Sequence, residues 1–275
     1  MLSIIISSYK QDYFEQLENN IKSSIGDGFL YEIIKIENHS KYSLTQAYNI
    51  GGKKAKYDNL LFIHEDIIFE TKNWGNILVK LLSVKDCGVI GVAGGSYYAY
   101  VPGSWWNKGY NFLHLKQVDP TSTTFNNKAN FKKDNEEAIA LDGVFMACKK
   151  NVFDEIGFDE RIDNYHGYDL IFSLQVSKKY QNYVTSEILI HHFSAGNLDR
   201  KWLENIIKVR EIVGFNPAQK IDKKLEVNNF YKLINQLKLF NYSRAEAFKI
   251  IYPYLSVRLL GLSNVIKILN RLKYL

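Results

Sequence analysis

Three short apolar runs near the amino terminus, 2–7, 31–36 and 59–63, are separated by stretches whose apolar residues recur at helical spacing. Phe14, Leu17 and Ile21 mark a helix over 13–25 that Gly26 and Gly28 close, and 44–54 reads as a second helix. Strand, helix, strand, helix, strand predicts an α/β chain with a doubly wound, mostly parallel sheet, because parallel neighbours need a crossover and a helix supplies it. Further on, 74–84 reads as a helix, 87–93 as a buried strand and 138–149 as extended chain. Helices are expected at 151–156, 168–179 and 199–213, with a strand at 183–190. The polar stretch 118–137, rich in Thr, Asn and Lys, reads as a mobile loop or insertion.

Where such strands end matters, because ligands in open α/β sheets bind at the carboxyl ends of strands. Leu60-Leu61-Phe62-Ile63 is followed at once by His64-Glu65-Asp66, before Ile67-Ile68-Phe69 resumes the apolar run. Acids placed there can face a site, although turn residues and helix caps use the same residue types. A dinucleotide cradle is not expected: the glycines in and after the strand at 87–93 run Gly88-x-x-Gly91-x-x-Gly94-Gly95, without GxGxxG spacing, and no Walker motif occurs. A cation held by carboxylates is the other common way to neutralise a diphosphate.

The net charge of +6 is unevenly spread: residues 221–275 carry +7 and the first 220 carry −1. A basic nucleic-acid-binding body is therefore excluded, and no nucleic acid partner is expected. Cys87 and Cys148 both lie in apolar runs and read as reduced, buried thiols of a cytoplasmic protein. The amino terminus reads as a first strand rather than a signal peptide, and no stretch of about 18 apolar residues predicts a spanning helix.

Seven short motifs in a fixed order carry a family resemblance. They are Ile4-Ile5-Ile6-Ser7-Ser8-Tyr9, Glu37-Asn38-His39-Ser40, Ala47-Tyr48-Asn49-Ile50-Gly51, Phe62-Ile63-His64-Glu65-Asp66, Leu141-Asp142-Gly143-Val144-Phe145-Met146-Ala147, Gly157-Phe158-Asp159-Glu160 and Gly167-Tyr168-Asp169-Leu170. Together they resemble the GT-A fold of bacterial family 2-type nucleotide-sugar glycosyltransferases over roughly residues 1–213, leaving 214–275 as a basic, helical appendage. The resemblance implies an inverting enzyme of the hexosyltransferase type. It would move a sugar from a nucleoside diphosphate donor, a UDP-sugar, to a glycan or lipid-linked acceptor in polysaccharide biosynthesis.

Carried over position by position, it implies Asp66 as the principal ligand of Mn²⁺ or Mg²⁺, with His64 standing where the family's first acid would be. A late histidine from His191-His192 joins it. Adjacent strand residues point to opposite faces, so only one of the pair serves, and His191 is the choice made from sequence. Asp169 would be the general base, taking the proton of the attacking hydroxyl. The family's second acid is replaced here by Ile171 and a later arginine by Gln175. Donor nucleotide contacts are expected from Ser7, Ser8 and Tyr9, from Glu37 and Asn38, from Gln46 and Asn49, and from Glu65. Trp105, Trp106 and Tyr97 would offer aromatic faces to a sugar, with Asp142, Gly143 and Tyr168 beside them.

In the tail, Phe230, Leu233, Ile234, Leu237 and Phe240 recur at helical spacing, as do Leu262, Val265, Ile266, Leu269 and Leu272, with lysines and arginines between. That pattern suits peripheral contact with an anionic membrane at the inner face of the cell membrane. It equally suits a bundle packed on the catalytic domain or on another subunit of a homo-oligomer. Two rival functions remain: a sugar-phosphate nucleotidyltransferase, which would want a glycine- and arginine-rich first loop that Ser7-Ser8-Tyr9-Lys10-Gln11 lacks, and a non-catalytic module that binds nucleotide sugars or glycans.

Overall fold

The computed structural model describes residues 1–118, 124–194, 196, 198–215 and 219–273. The first half holds β1 (Leu2–Ser8), α1 (Gln11–Ser24), β2 (Tyr31–Glu37), α2 (Leu44–Lys54), β3 (Asn59–Ile63), β4 (Ile67–Phe69), α3 (Trp74–Leu82), β5 (Cys87–Gly91) and β6 (Ala93–Gly95). There follow β7 (Asn111–Val118), β8 (Thr124–Ala129), β9 (Asn135–Ala138), β10 (Ala140–Leu141), β11 (Phe145–Lys149), α4 (Lys150–Ile156), α5 (Tyr168–Val176), β12 (Gln181–Thr185) and β13 (Ile190–His192). The chain ends in α6 (Arg200–Val213), α7 (Lys223–Leu239), α8 (Arg244–Ile251), a 3₁₀ turn at Tyr252–Tyr254, α9 (Val257–Leu260) and α10 (Leu262–Leu272).

The main sheet runs β2-β1-β3-β11-β5-β12-β9. β1 pairs in parallel with β2 and β3, as the alternating pattern predicts. β11 lies antiparallel between β3 and β5, so the sheet is mixed at its centre. The excursion through β6 to β10 brings the chain back from the opposite end, which reverses that strand. Both faces are covered by helices, and β1 and β3 are accordingly apolar almost throughout. In α2, a Cβ on Gly51 would fall 2.3 Å from Ile5 and one on Gly52 2.3 Å from Phe153. The glycines let this helix press between the sheet and α4, which outweighs their weak helix propensity.

A second sheet, β10-β6-β7-β13-β4 with β8 on β7, forms beside the first. The stretch 118–137 thus contains β8 and β9 rather than a plain loop; its residues 119–123 lie outside the described residues. The strand expected at 183–190 is two strands, β12 and β13, in different sheets. β13 pairs antiparallel with β4, His192 opposite Ile67, and this brings the late histidines back to the end of β3.

The carboxyl-terminal helices share a core with the body. Phe230, Leu233, Ile234 and Leu237 of α7 bury against Leu170 and Leu174 of α5, Leu203 and Ile206 of α6, and the segment 97–101. On α10 the buried residues are Val265, Ile268 and Leu272, while Leu262 and Ile266 face outward. Among the described residues no helix is long and apolar enough to cross a membrane. Both cysteines are free and buried.

Candidate active site

The carboxyl ends of β1, β2 and β3 open on a cleft lined by Ser7, Tyr9, Asn38, Glu65, Asp66 and His64, with Lys10 and Tyr13 at its rim. Several residues expected to touch a nucleotide also build its walls. The Glu65 carboxylate accepts the backbone N–H groups of Tyr9 and Lys10, both at 3.0 Å, an anion set on the positive end of α1. Asn38 is buried, donating to Ser7 Oγ at 3.0 Å and to the Tyr42 carbonyl at 3.1 Å, while its own carbonyl accepts the Tyr42 N–H. Ser8 is buried, and its backbone carbonyl accepts the Asn38 N–H.

Three expected contacts point elsewhere. Glu37 is exposed and paired with Lys35 at 2.6 Å. Gln46 completes a capping box with Ser43 at the start of α2. Asn49 clasps Phe158 through both its amide atoms and donates to Glu160 at 2.8 Å. Their polar atoms are engaged in local structure, which the residue types alone do not reveal.

His64, Asp66 and His192 converge, their ligand atoms all within 4.8 Å of one another. Asp66 Oδ1 lies 3.5 Å from His192 Nε2 and 3.9 Å from His64 Nδ1. His191, the choice from sequence, is not in this group. Strand alternation turns it to the other face, where its ring packs on Phe193 at 4.4 Å between centroids. Burial raises the Asp66 carboxyl, yet a hydrogen bond with His192 and the charges of His64 and His192 outweigh it and hold the group well below the usual carboxylate range. Burial lowers His64, and the neighbouring His192 adds to this. A neutral imidazole is the form that ligates metal, so two imidazole nitrogens and one carboxylate oxygen make a donor set that fits a divalent cation tolerant of nitrogen, such as Mn²⁺.

Asp169 stands in the first turn of α5, after Gly167 at φ 82°. Its carboxylate accepts the Gly143 N–H at 3.0 Å. Burial, and then the Asp142 charge beside it, push its carboxyl up to about 7. Asp142 is fixed in turn: one oxygen accepts the Val144 N–H at 3.0 Å, the other the Trp105 indole N–H at 3.2 Å. These residues line a second hollow of about 590 Å³ with Trp106, Trp202 and His192. His64 lines both hollows, so Asp66 opens on the one and Asp169 on the other with the His64 ring shared between them.

The sequence matches the model of the family described as "Glycosyltransferase like family" over residues 3–208. The chain belongs to that family. No curated protein sequence matches it. Among solved structures it is similar to GalNAc-T7 with UDP, GalNAc and Mn²⁺, at 11% identity and a TM-score of 0.56, covering 97% of this chain and 56% of that one. It is also similar to residues 1–349 of TarS from S. aureus in complex with UDP, at 13% identity and a TM-score of 0.53, covering 99% of this chain and 82% of that one. The fold is thus GT-A, with several helices added at the carboxyl end.

Against this family background, two expected sugar contacts have other partners. Tyr97 is buried and its hydroxyl donates to Glu226 of α7. Tyr168 is also buried, its hydroxyl 2.7 Å from His64 Nε2. Gly143 is close-packed: a Cβ there would fall 2.0 Å from the Tyr168 hydroxyl. Packing of α7 on the catalytic domain was one of the two readings of the tail, but its hold on the aromatic loop was not foreseen. Glu226 also accepts the Tyr100 N–H, Asn229 donates to Asn107 at 2.8 Å, Lys232 reaches the Trp106 carbonyl at 3.4 Å, and Gln236 lines the hollow itself. One stripe of this helix therefore holds the loop that carries Trp105 and Trp106. The signal in the sequence was Glu226 and Asn229, an acid and an asparagine beside the apolar stripe of a helix read as equally suited to a membrane and to packing on the catalytic domain.

Proposed function

We propose that the chain is an inverting, metal-assisted glycosyltransferase that moves a sugar from a UDP-sugar to a glycan or lipid-linked acceptor. The observation that carries this reading is that Asp66 and Asp169 open on adjoining hollows that share His64 as a lining residue. The family match supports the reaction class, and the UDP in both structural neighbours supports the donor.

The nucleotide lies over Ser7, Tyr9 and the start of α1, where Lys10 offers charge to the diphosphate. A divalent cation at His64, Asp66 and His192 would supply positive charge where the leaving diphosphate gathers negative charge. Trp105 and Trp106 present aromatic faces to the acceptor sugar, Trp106 being largely exposed. Asp169 accepts the proton of the acceptor hydroxyl as that oxygen bonds to the anomeric carbon. The bond to the diphosphate oxygen breaks on the opposite face, its electron pair leaving with the nucleotide, and the anomeric configuration inverts. A carboxyl near neutral pH is matched to this task.

The apolar residues that α8 to α10 leave exposed, Phe248, Tyr252, Leu262 and Ile266, lie in the most basic part of the chain and suit an anionic membrane that presents a lipid-linked acceptor. The test of the reaction class is release of UDP from a panel of UDP-sugars, with Mn²⁺ and with chelator. Release that requires the metal and is lost in Asp66→Asn is expected. Release indifferent to chelator, or none with any UDP-sugar, refutes the reading.

A further inference from the structure

The hollow that holds Asp169 carries negative charge with no fixed cation to balance it. Asp142 and Asp169 both line it, and among the described residues around it there is neither lysine nor arginine. The two carboxylates are held by uncharged N–H groups: Val144 and the Trp105 indole donate to Asp142, and Gly143 donates to Asp169. Cations on the surrounding elements are engaged elsewhere. Lys116 of β7 pairs with Glu70 at 3.1 Å, Lys201 of α6 with Asp163 at 3.7 Å, and Lys232 of α7 donates to the Trp106 carbonyl at 3.4 Å. Of the histidines in the lining, burial lowers His64 and His166, and His192 is committed to Asp66. The hollow on the Asp66 side differs, since Lys10 lines it at the positive end of α1.

We propose that the acceptor sugar entering this hollow is uncharged, a neutral hexose, and that uronic acids and phosphorylated sugars are excluded from it. The inference rests on the glycosyltransferase reading above and deepens it. An ionised carboxylate only accepts hydrogen bonds, so Asp142 and Asp169 keep lone pairs for groups that donate, and sugar hydroxyls donate. A carboxylate or phosphate on the acceptor does not. Held about 6 Å from one ionised aspartate, such a group binds roughly 100-fold more weakly at the effective dielectric of a protein surface, and water in the hollow brings this nearer 10-fold. It acts a second time through Asp169, because a further negative charge favours the protonated carboxyl, which cannot take the proton from the attacking hydroxyl. A divalent cation beside Asp66 does not reverse the sign: Asp66 and the two charges of a donor diphosphate outnumber its two positive charges.

The apolar part of the lining suits the rest of such a sugar. Trp105 spends its indole N–H on Asp142, which fixes that edge of the ring, and its plane stands 60° from that of Trp106 with the centroids 5.4 Å apart. Trp202, Leu170 and Ile206 add buried apolar surface to the same hollow. A pocket of this kind takes the C–H face of a ring on its aromatic side and the hydroxyls on its few polar groups. A neutral hexose matches both parts of the lining, whereas an anionic sugar matches only the apolar part. Charges further along an acceptor, beyond the sugar that enters, lie outside the hollow and are not selected against.

The experiment uses the full chain at pH 8, above the value of about 7 for Asp169, with Mn²⁺ and the UDP-sugar that releases UDP fastest. Methyl glycosides of glucose, galactose, mannose and N-acetylglucosamine, both anomers, are compared with those of glucuronic, galacturonic and mannuronic acid. Mass spectrometry of the product gives kcat/KM, and saturation-transfer NMR reads binding. The best neutral glycoside should exceed its uronic acid counterpart by at least roughly 10-fold in kcat/KM and should alone show binding. Gln236→Lys sets a cation in the half-buried wall of the hollow and should raise kcat/KM for the uronic acids about 10-fold, narrowing the gap. Circular dichroism confirms that this variant folds. Uronic acids used as well as their neutral counterparts overturn the inference. So do neutral glycosides that are neither bound nor used, and a folded Gln236→Lys that leaves the gap unchanged. In each of these cases continued release of UDP keeps the reaction class intact. Absence of release with every UDP-sugar defeats the reaction class, and the acceptor inference with it.

Discussion

Replacing Asp169 with Asn separates its chemical role from its structural one. The amide oxygen can still accept the Gly143 N–H that the carboxylate accepts at 3.0 Å, so the start of α5 should keep its shape. What disappears is the capacity to take a proton. Positioned general bases contribute about 10²–10⁴-fold, so kcat should fall by that factor, roughly 3–5 kcal/mol in the barrier, while the Kd for UDP with Mn²⁺ is unchanged. The pH profile supplies an independent check. Because burial and Asp142 raise this carboxyl to about 7, wild-type activity should rise with pH through that value, and the variant should lack the limb.

Stability should move the other way. A carboxyl raised in the folded state favours folding fully below its unfolded value, near 4, and that contribution is lost as pH rises through about 7. At pH 8 the ionised Asp169 thus costs the fold up to about 4 kcal/mol, and water entering the open cleft reduces this to roughly 1–3 kcal/mol. Asp169→Asn should therefore be slower yet more stable at pH 8, and no more stable than wild type at pH 4.5. Denaturant unfolding at the two pH values, beside transfer or donor-hydrolysis rates, reads both. A variant that turns over at the wild-type rate, or that loses stability at pH 8, refutes the assignment.

Three other outcomes follow from the geometry. His192→Ala should weaken Mn²⁺ binding at least tenfold by calorimetry, whereas His191→Ala, whose ring lies on the other face, should leave it unchanged. Glu226→Ala strands the Tyr97 hydroxyl and the Tyr100 N–H, so unfolding free energy should drop by about 2–4 kcal/mol and amide exchange across 97–107 should quicken. The full chain should sediment with anionic liposomes at low salt and be released by high salt, and replacing both Phe248 and Leu262 with Ser should reduce binding without unfolding the chain, as both side chains are exposed.

The elements visible from sequence were those whose pattern reports their own surroundings. β1 and β3 read as buried because helices cover both faces, and the helical stripes of α1 and α2 read correctly because one core buries each. Asp66 stood out by its place at the carboxyl end of a buried strand, and Asp169 by the match of Gly167-Tyr168-Asp169-Leu170 to the family's pattern. What stayed hidden depended on residues far apart in the chain. Nothing local to His191-His192 states which of them faces β3; the register against β4 decides it, through the pairing of His192 with Ile67. Glu65 and Asn38 carry the right chemistry for a nucleotide, but the backbone N–H groups that occupy them belong to the loops after β1 and β2. The tail illustrates the same principle at larger scale. Its apolar stripe is real, yet an amphipathic helix does not announce what it lies against, and here α7 spends that face on α5, α6 and the aromatic loop. The part of the tail available to a membrane is consequently what α8 to α10 leave uncovered, while α7 belongs to the wall of the cleft beside Trp106.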